Sequence, residues 1–134
     1  LESEGKQVDL ETLEYIHLHK TGALLSACVI TGALIGNADD TLITALRTYA
    51  RGIGLAFQII DDILDITASS EVLGKTAGKD LLADKTTYPK LLGLEESRKR
   101  ADDLVREAKE ALQPWSDQAM PLLALADFIT SRDR

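Results

Sequence analysis

Three carboxylates and an amide interrupt an otherwise apolar helical run at Phe57-Gln58-Ile59-Ile60-Asp61-Asp62-Ile63-Leu64-Asp65. A helix built only for packing would not carry them, so this segment must be largely buried and still present acids to something polar. Helical spacing aligns Gln58, Asp61 or Asp62, and Asp65 at i, i+3 or i+4, and i+7, in one column on one face. Clustered carboxylates repel one another unless a cation sits among them. Oxygen-only ligands favour a hard ion, and Mg²⁺ is typically held by one or two carboxylates, with water and phosphate oxygens completing its shell. The pattern predicts a magnesium site that takes a phosphate-bearing molecule.

Basic residues suited to such a ligand follow in Gly74-Lys75-Thr76-Ala77-Gly78-Lys79-Asp80 and Asp84-Lys85-Thr86-Thr87-Tyr88-Pro89, and precede it in Leu18-His19-Lys20-Thr21-Gly22. Glycines let a backbone approach a ligand closely, and lysines act as point charges on phosphate. The order Gly-x-x-x-x-Gly-Lys-Ser/Thr of a nucleotide-binding P-loop is not met by Gly74 to Asp80, so that function is rejected. His17 and His19 lie two apart and face different sides of a helix, which argues against a histidine metal site.

With 134 residues the chain forms one domain at most, and its net charge of −7 argues against general nucleic-acid binding. The single cysteine, Cys28, excludes a disulfide framework, fits a reducing cytoplasmic setting, and is expected as a buried small hydrophobe. No apolar stretch free of charge reaches the ~18 to 20 residues that span a bilayer, so no membrane span is expected. The sequence starts at Leu1 inside a polar segment, as expected of a piece of a longer polypeptide.

The fold class expected is all-α. Asp9 caps a helix from about Leu10 to Ile35, stopped by Gly36-Asn37, whose second half is apolar almost all round and is expected to be buried. Asp39 or Asp40 caps a second helix reaching about Thr67, with Gly52 and Gly54 inside it as marks of close helix or ligand approach. Ser69 to Gly74 reads as a short helical turn, Lys75 to Tyr88 as a loop, and Pro89 as the start of a short helix ending near Gly93. Glu95 to Leu112 is amphipathic, with Ala101, Leu104, Val105, Ala108 and Leu112 on its apolar face, and a last helix runs from about Pro121 to Arg132. Asp39-Asp40 and Asp102-Asp103 lack a third acid four residues after the first and read as a cap and a solvated pair.

Taken together and in order, Leu18-His19-Lys20-Thr21-Gly22, Gly54 to Asp65, Leu73 to Asp80 and Lys85-Thr86-Thr87-Tyr88-Pro89 resemble the C-terminal half of trans-isoprenyl diphosphate synthases, the farnesyl and geranylgeranyl diphosphate synthase family. The resemblance runs essentially from end to end. It implies the C-terminal portion of an isoprenoid-synthase helical bundle and a Mg²⁺-dependent prenyltransferase that joins isopentenyl diphosphate to an allylic diphosphate. It implies metal ligation by Asp61, with Asp62 and Asp65 as supporting acids, and allylic diphosphate binding by Lys20 and Lys75, with Lys85 nearby. Thr21 and Gln58 match groups beside the carbocation, and Phe57 matches a residue lining the isopentenyl diphosphate site.

The family's first Asp-Asp-x-x-Asp motif and its upstream basic site have no counterpart in these residues. The resemblance therefore implies a fragment inactive by itself and, for the complete enzyme, a homodimer. Three other functions compete: a noncatalytic regulatory subunit of a heteromeric synthase, a class I terpene cyclase, and a structural bundle with merely exposed acids. Intact acids and lysines argue against the first, and Asp61-Asp62-x-x-Asp65 departs from the Asn/Ser/Glu type of second motif in the cyclases.

Overall fold

The structure, a computed structural model, describes residues 8–72 and 86–132, and for 68–72 the backbone alone. Asp9 starts α1 (Leu10–His17) by accepting the Thr12 amide at 2.8 Å, and hydrogen bonding from the Thr12 side chain and then from its amide holds the Asp9 carboxyl below its ordinary range. A π-helical turn, Leu18–Gly22, joins α1 to α2 (Ala23–Ile35), so the run expected as one regular helix carries an extra residue at Lys20 and Thr21. Asn37, at φ 55°, ends this run as Gly36-Asn37 predicted. Asp39 then caps α3 (Asp40–Val72) through the Leu42 amide at 2.8 Å. This helix is longer than expected and absorbs Ser69 to Val72, which read as a separate turn.

Beyond it, Leu73 to Lys85 lie outside the described residues, including most of the expected loop. α4 (Tyr88–Leu92) turns at Gly93 into α5 (Leu94–Ala111), and a 3₁₀ turn (Gln113–Trp115) leads to α6 (Met120–Ser131). No strand occurs among the described residues, and the all-α expectation holds.

α3 is the axis of the bundle, contacted by every other α-helix. Tyr49, Ile53, Ile59, Ile60 and Ile63 on α3 are buried against Ala101, Leu104, Val105 and Ala108 of α5 and Ala126 and Ile129 of α6. Each such aliphatic side chain contributes about 1.5 to 3 kcal/mol on full burial. The amphipathic face assigned to α5 is the one that packs. Tyr49 also fastens α6, its hydroxyl donating to the Leu122 carbonyl at 2.7 Å.

The two α3 glycines sit where neighbours would have to give way to a methyl group. A Cβ on Gly52 would stand 3.0 Å from the Leu104 carbonyl oxygen, and one on Gly54 would stand 3.0 Å from Gly22 Cα in the π turn. Gly54→Ala is thus expected to push the turn carrying Lys20 and Thr21 off α3 and to destabilise the chain by about 1 to 3 kcal/mol. Urea denaturation measures it, and a loss below about 0.5 kcal/mol would mean that the turn yields easily.

α2 corrects the sequence reading. It was expected to be buried and contains no buried residue, with Leu24 66% and Ile35 82% exposed. Cys28, expected inside, is exposed as well. Hydropathy alone cannot bury a helix, because burial needs an opposing surface, and no described residue covers this face. The continuous run Leu10–Ile35 is also long and apolar enough to cross a membrane by length and composition, which the charge-free criterion did not anticipate. Its α2 half nevertheless packs along α3.

Candidate active site

The π turn and the middle of α3 together form one polar cavity of about 520 Å³, lined by Lys20, Thr21, Phe57, Gln58, Asp61, Asp62, Leu64 and Asp65. Close contact between Gly22 and Gly54 brings the turn down onto the helix. The extra residue of the turn places Lys20 and Thr21 on the cavity rather than continuing the α-helical face. Every expected site residue within the described part of the chain lies on this cavity. Lys75 and Lys85 lie outside the described residues.

The adjacent acids divide. Asp61 is half-buried on the cavity side, with Gln58 Nε2 3.5 Å from its Oδ2 and Arg132 Nη2 donating to its Oδ1 at 3.0 Å. Asp62, only 3% exposed, borders the cavity but directs Oδ2 into the bundle. That oxygen accepts from His17 Nε2 at 3.2 Å and from the Tyr88 amide at 3.1 Å. The Tyr88 ring stacks on His17 with centroids 5.8 Å apart, and its hydroxyl donates to Glu14 at 2.8 Å. Arg100 pairs with the same Glu14 oxygen at 3.4 Å. Burial, then the bond to Glu14, keeps the Tyr88 phenol protonated well above its ordinary range.

Asp62 therefore ties α1, α3 and the start of α4 together. Sequence reasoning placed it with the metal-binding acids and missed His17, Glu14, Tyr88 and Arg100 as its supports. It also missed Arg132, whose guanidinium lies 4.3 Å over the Phe57 ring. The only local signal was a buried-type aromatic before Pro89, and Arg132 left none.

Among the described residues no three His, Cys, Asp or Glu side chains converge as a ready-made metal cage, although Asp61, Asp62 and Asp65 all border the one cavity. The cavity nonetheless offers oxygen donors from Asp61, Asp65, Gln58 and Thr21, and Asp61 already draws a cation in Arg132. Those donors fit a hard divalent ion that takes one or two carboxylates and completes its shell with water and phosphate oxygens.

A family model described as polyprenyl synthetase matches residues 1–120. A dimethylallyltranstransferase of Fischerella ambigua is 57% identical over 98% of the chain and 38% of its own length. A chloroplastic geranylgeranyl pyrophosphate synthase of Catharanthus roseus is 58% identical over 98% of the chain and 37% of its own length. The crystal structure of a geranyltransferase from Helicobacter pylori, complexed with magnesium and isoprenyl diphosphate, superposes with a TM-score of 0.70 at 34% identity, covering 96% of this chain and 42% of that one. The chain thus spans well under half the length of the relatives it matches. Sequence, helical fold and the family-model match agree along nearly all of it, and the chain belongs to the polyprenyl synthetase family.

Proposed function

We propose that this chain is the C-terminal half of a short-chain prenyl diphosphate synthase that condenses isopentenyl diphosphate with an allylic diphosphate. The observation that carries the reading is the cavity that unites Lys20, Thr21, Gln58 and Phe57 with Asp61 and Asp65. In the reaction the allylic C–O bond breaks and its electron pair leaves with pyrophosphate. The double bond of isopentenyl diphosphate attacks the allylic cation, and loss of a proton to the departing pyrophosphate restores a double bond.

Lys20 supplies positive charge for the leaving pyrophosphate, joined in this reading by Lys75 and Lys85. Thr21 and Gln58 offer fixed dipoles to the cation, while Phe57 and Leu64 exclude water from it. Asp61 and Asp65 would hold Mg²⁺, which when bound neutralises charge developing on the pyrophosphate. Asp62 acts by fixing the helix that presents Asp61. The name of the Catharanthus relative favours geranylgeranyl diphosphate over farnesyl diphosphate as product. The reading includes a homodimeric complete enzyme and an inactive isolated half. The open apolar face of α2 is a surface that the rest of such an enzyme would cover.

Lys20 is exposed, so Lys20→Ala should leave the fold intact while weakening Mg²⁺-dependent geranyl diphosphate binding about tenfold, the loss of one charge-assisted hydrogen bond. Isothermal titration calorimetry reads it. Equal affinity for both forms would remove Lys20 from the diphosphate site and with it the main support for this reading.

A further inference from the structure

We infer that Arg132 is a built-in counter-cation for Asp61, so that a divalent ion entering the cavity competes with a guanidinium for that carboxylate. Arg132 is the C-cap of α6, 71 residues away in sequence, and its Nη2 reaches Asp61 Oδ1 at 3.0 Å. The guanidinium lies 4.3 Å over Phe57, and its Nε is buried with no hydrogen-bond partner among the described residues. A side chain placed only to fasten α6 would not leave a buried donor unmatched.

α6 has other fastenings. Ala126 and Ile129 are buried in the core, Tyr49 holds the Leu122 carbonyl at 2.7 Å, and Lys109 pairs with Asp127 at 2.6 Å. Arg132 can therefore swing away without unfolding the helix. Its pair with Asp61 is partly exposed, with side chains 22% and 39% accessible, so it is weak enough to release. A guanidinium stays charged at any pH a protein survives, and a divalent ion on the same carboxylate would stand close enough to be repelled by it. Arg132 and the metal thus occupy Asp61 alternately, and metal entry frees the guanidinium beside Phe57. This rests on the proposed metal-facing role of Asp61.

The test is Mn²⁺ binding to the chain by electron paramagnetic resonance, comparing the unsubstituted protein with Arg132→Gln, Arg132→Lys, Asp61→Asn and the double variant Asp61→Asn/Arg132→Gln. Arg132→Gln should bind Mn²⁺ about fivefold more tightly, the size of one partly exposed ion pair. Arg132→Lys should fall between the two, and Arg132→Gln should give no gain once Asp61 is asparagine. Equal or weaker binding by Arg132→Gln would overturn the displacement while leaving the metal site standing. A gain that persists without Asp61 would also overturn it, and Mn²⁺ binding by none of these proteins would overturn the metal-facing role of Asp61 together with it.

Discussion

Replacing Asp61 with asparagine lowers Mg²⁺-dependent diphosphate affinity by at least about 100-fold while barely changing stability. Changes in the supporting shell of a metal site already weaken it by about 10- to 100-fold, and the proposed reading puts Asp61 in direct contact with the ion. Asparagine keeps the shape and removes the charge. Because Asp61 is half-buried and faces the cavity, the core of α3 does not depend on it, and its pair with Arg132 is of the partly exposed kind worth about 1 kcal/mol or less. Titration calorimetry with geranyl diphosphate and Mg²⁺, beside a thermal melt, separates the two effects. Unchanged binding would sink the assignment of Asp61.

The next residue gives the opposite profile. Asp62→Ala strips one buried oxygen from both His17 and the Tyr88 amide, and each orphaned polar group costs about 1 to 3 kcal/mol. A loss of about 2 to 4 kcal/mol is expected, lowering the melting temperature by roughly 10 °C. Asp62→Asn keeps one acceptor oxygen and should lose less. An Asp62→Ala protein that melts within about 2 °C of the unsubstituted chain and has lost metal binding would return Asp62 to the metal ligands.

This division between neighbours marks where the sequence stops being legible. Adjacent helix positions point about 100° apart, so only one of Asp61 and Asp62 can face the cavity squarely. Which one does is decided by His17 and Tyr88, 45 and 26 residues away, and no local pattern encodes that choice. The cavity itself was readable because Gln58, Asp61 and Asp65 recur at helical spacing in an apolar setting, and because Lys20-Thr21-Gly22 stands out in a second apolar run. Gly54 and Gly22 were visible as glycines, but their mutual contact is a tertiary fact.

Elsewhere the amphipathic pattern of α5 was reliable, since one face had Leu104, Val105 and Ala108 and the other had charges. α2 failed for the converse reason. An all-round apolar helix reports that something should cover it, and not that the covering surface is at hand; Ile35 is 82% exposed. Arg132 was unreadable because its role depends on a helix end meeting α3 across 71 residues of sequence.

The most direct test of the central claim is pyrophosphate release from geranyl diphosphate and isopentenyl diphosphate with Mg²⁺, run on this chain and on the complete polypeptide. The account predicts release by the complete polypeptide, with a prenyl diphosphate of longer chain as coproduct, and none by this chain alone. Release by neither would contradict the prenyltransferase reading and favour a noncatalytic partner. Release by this chain alone would contradict the account of a half-built metal site.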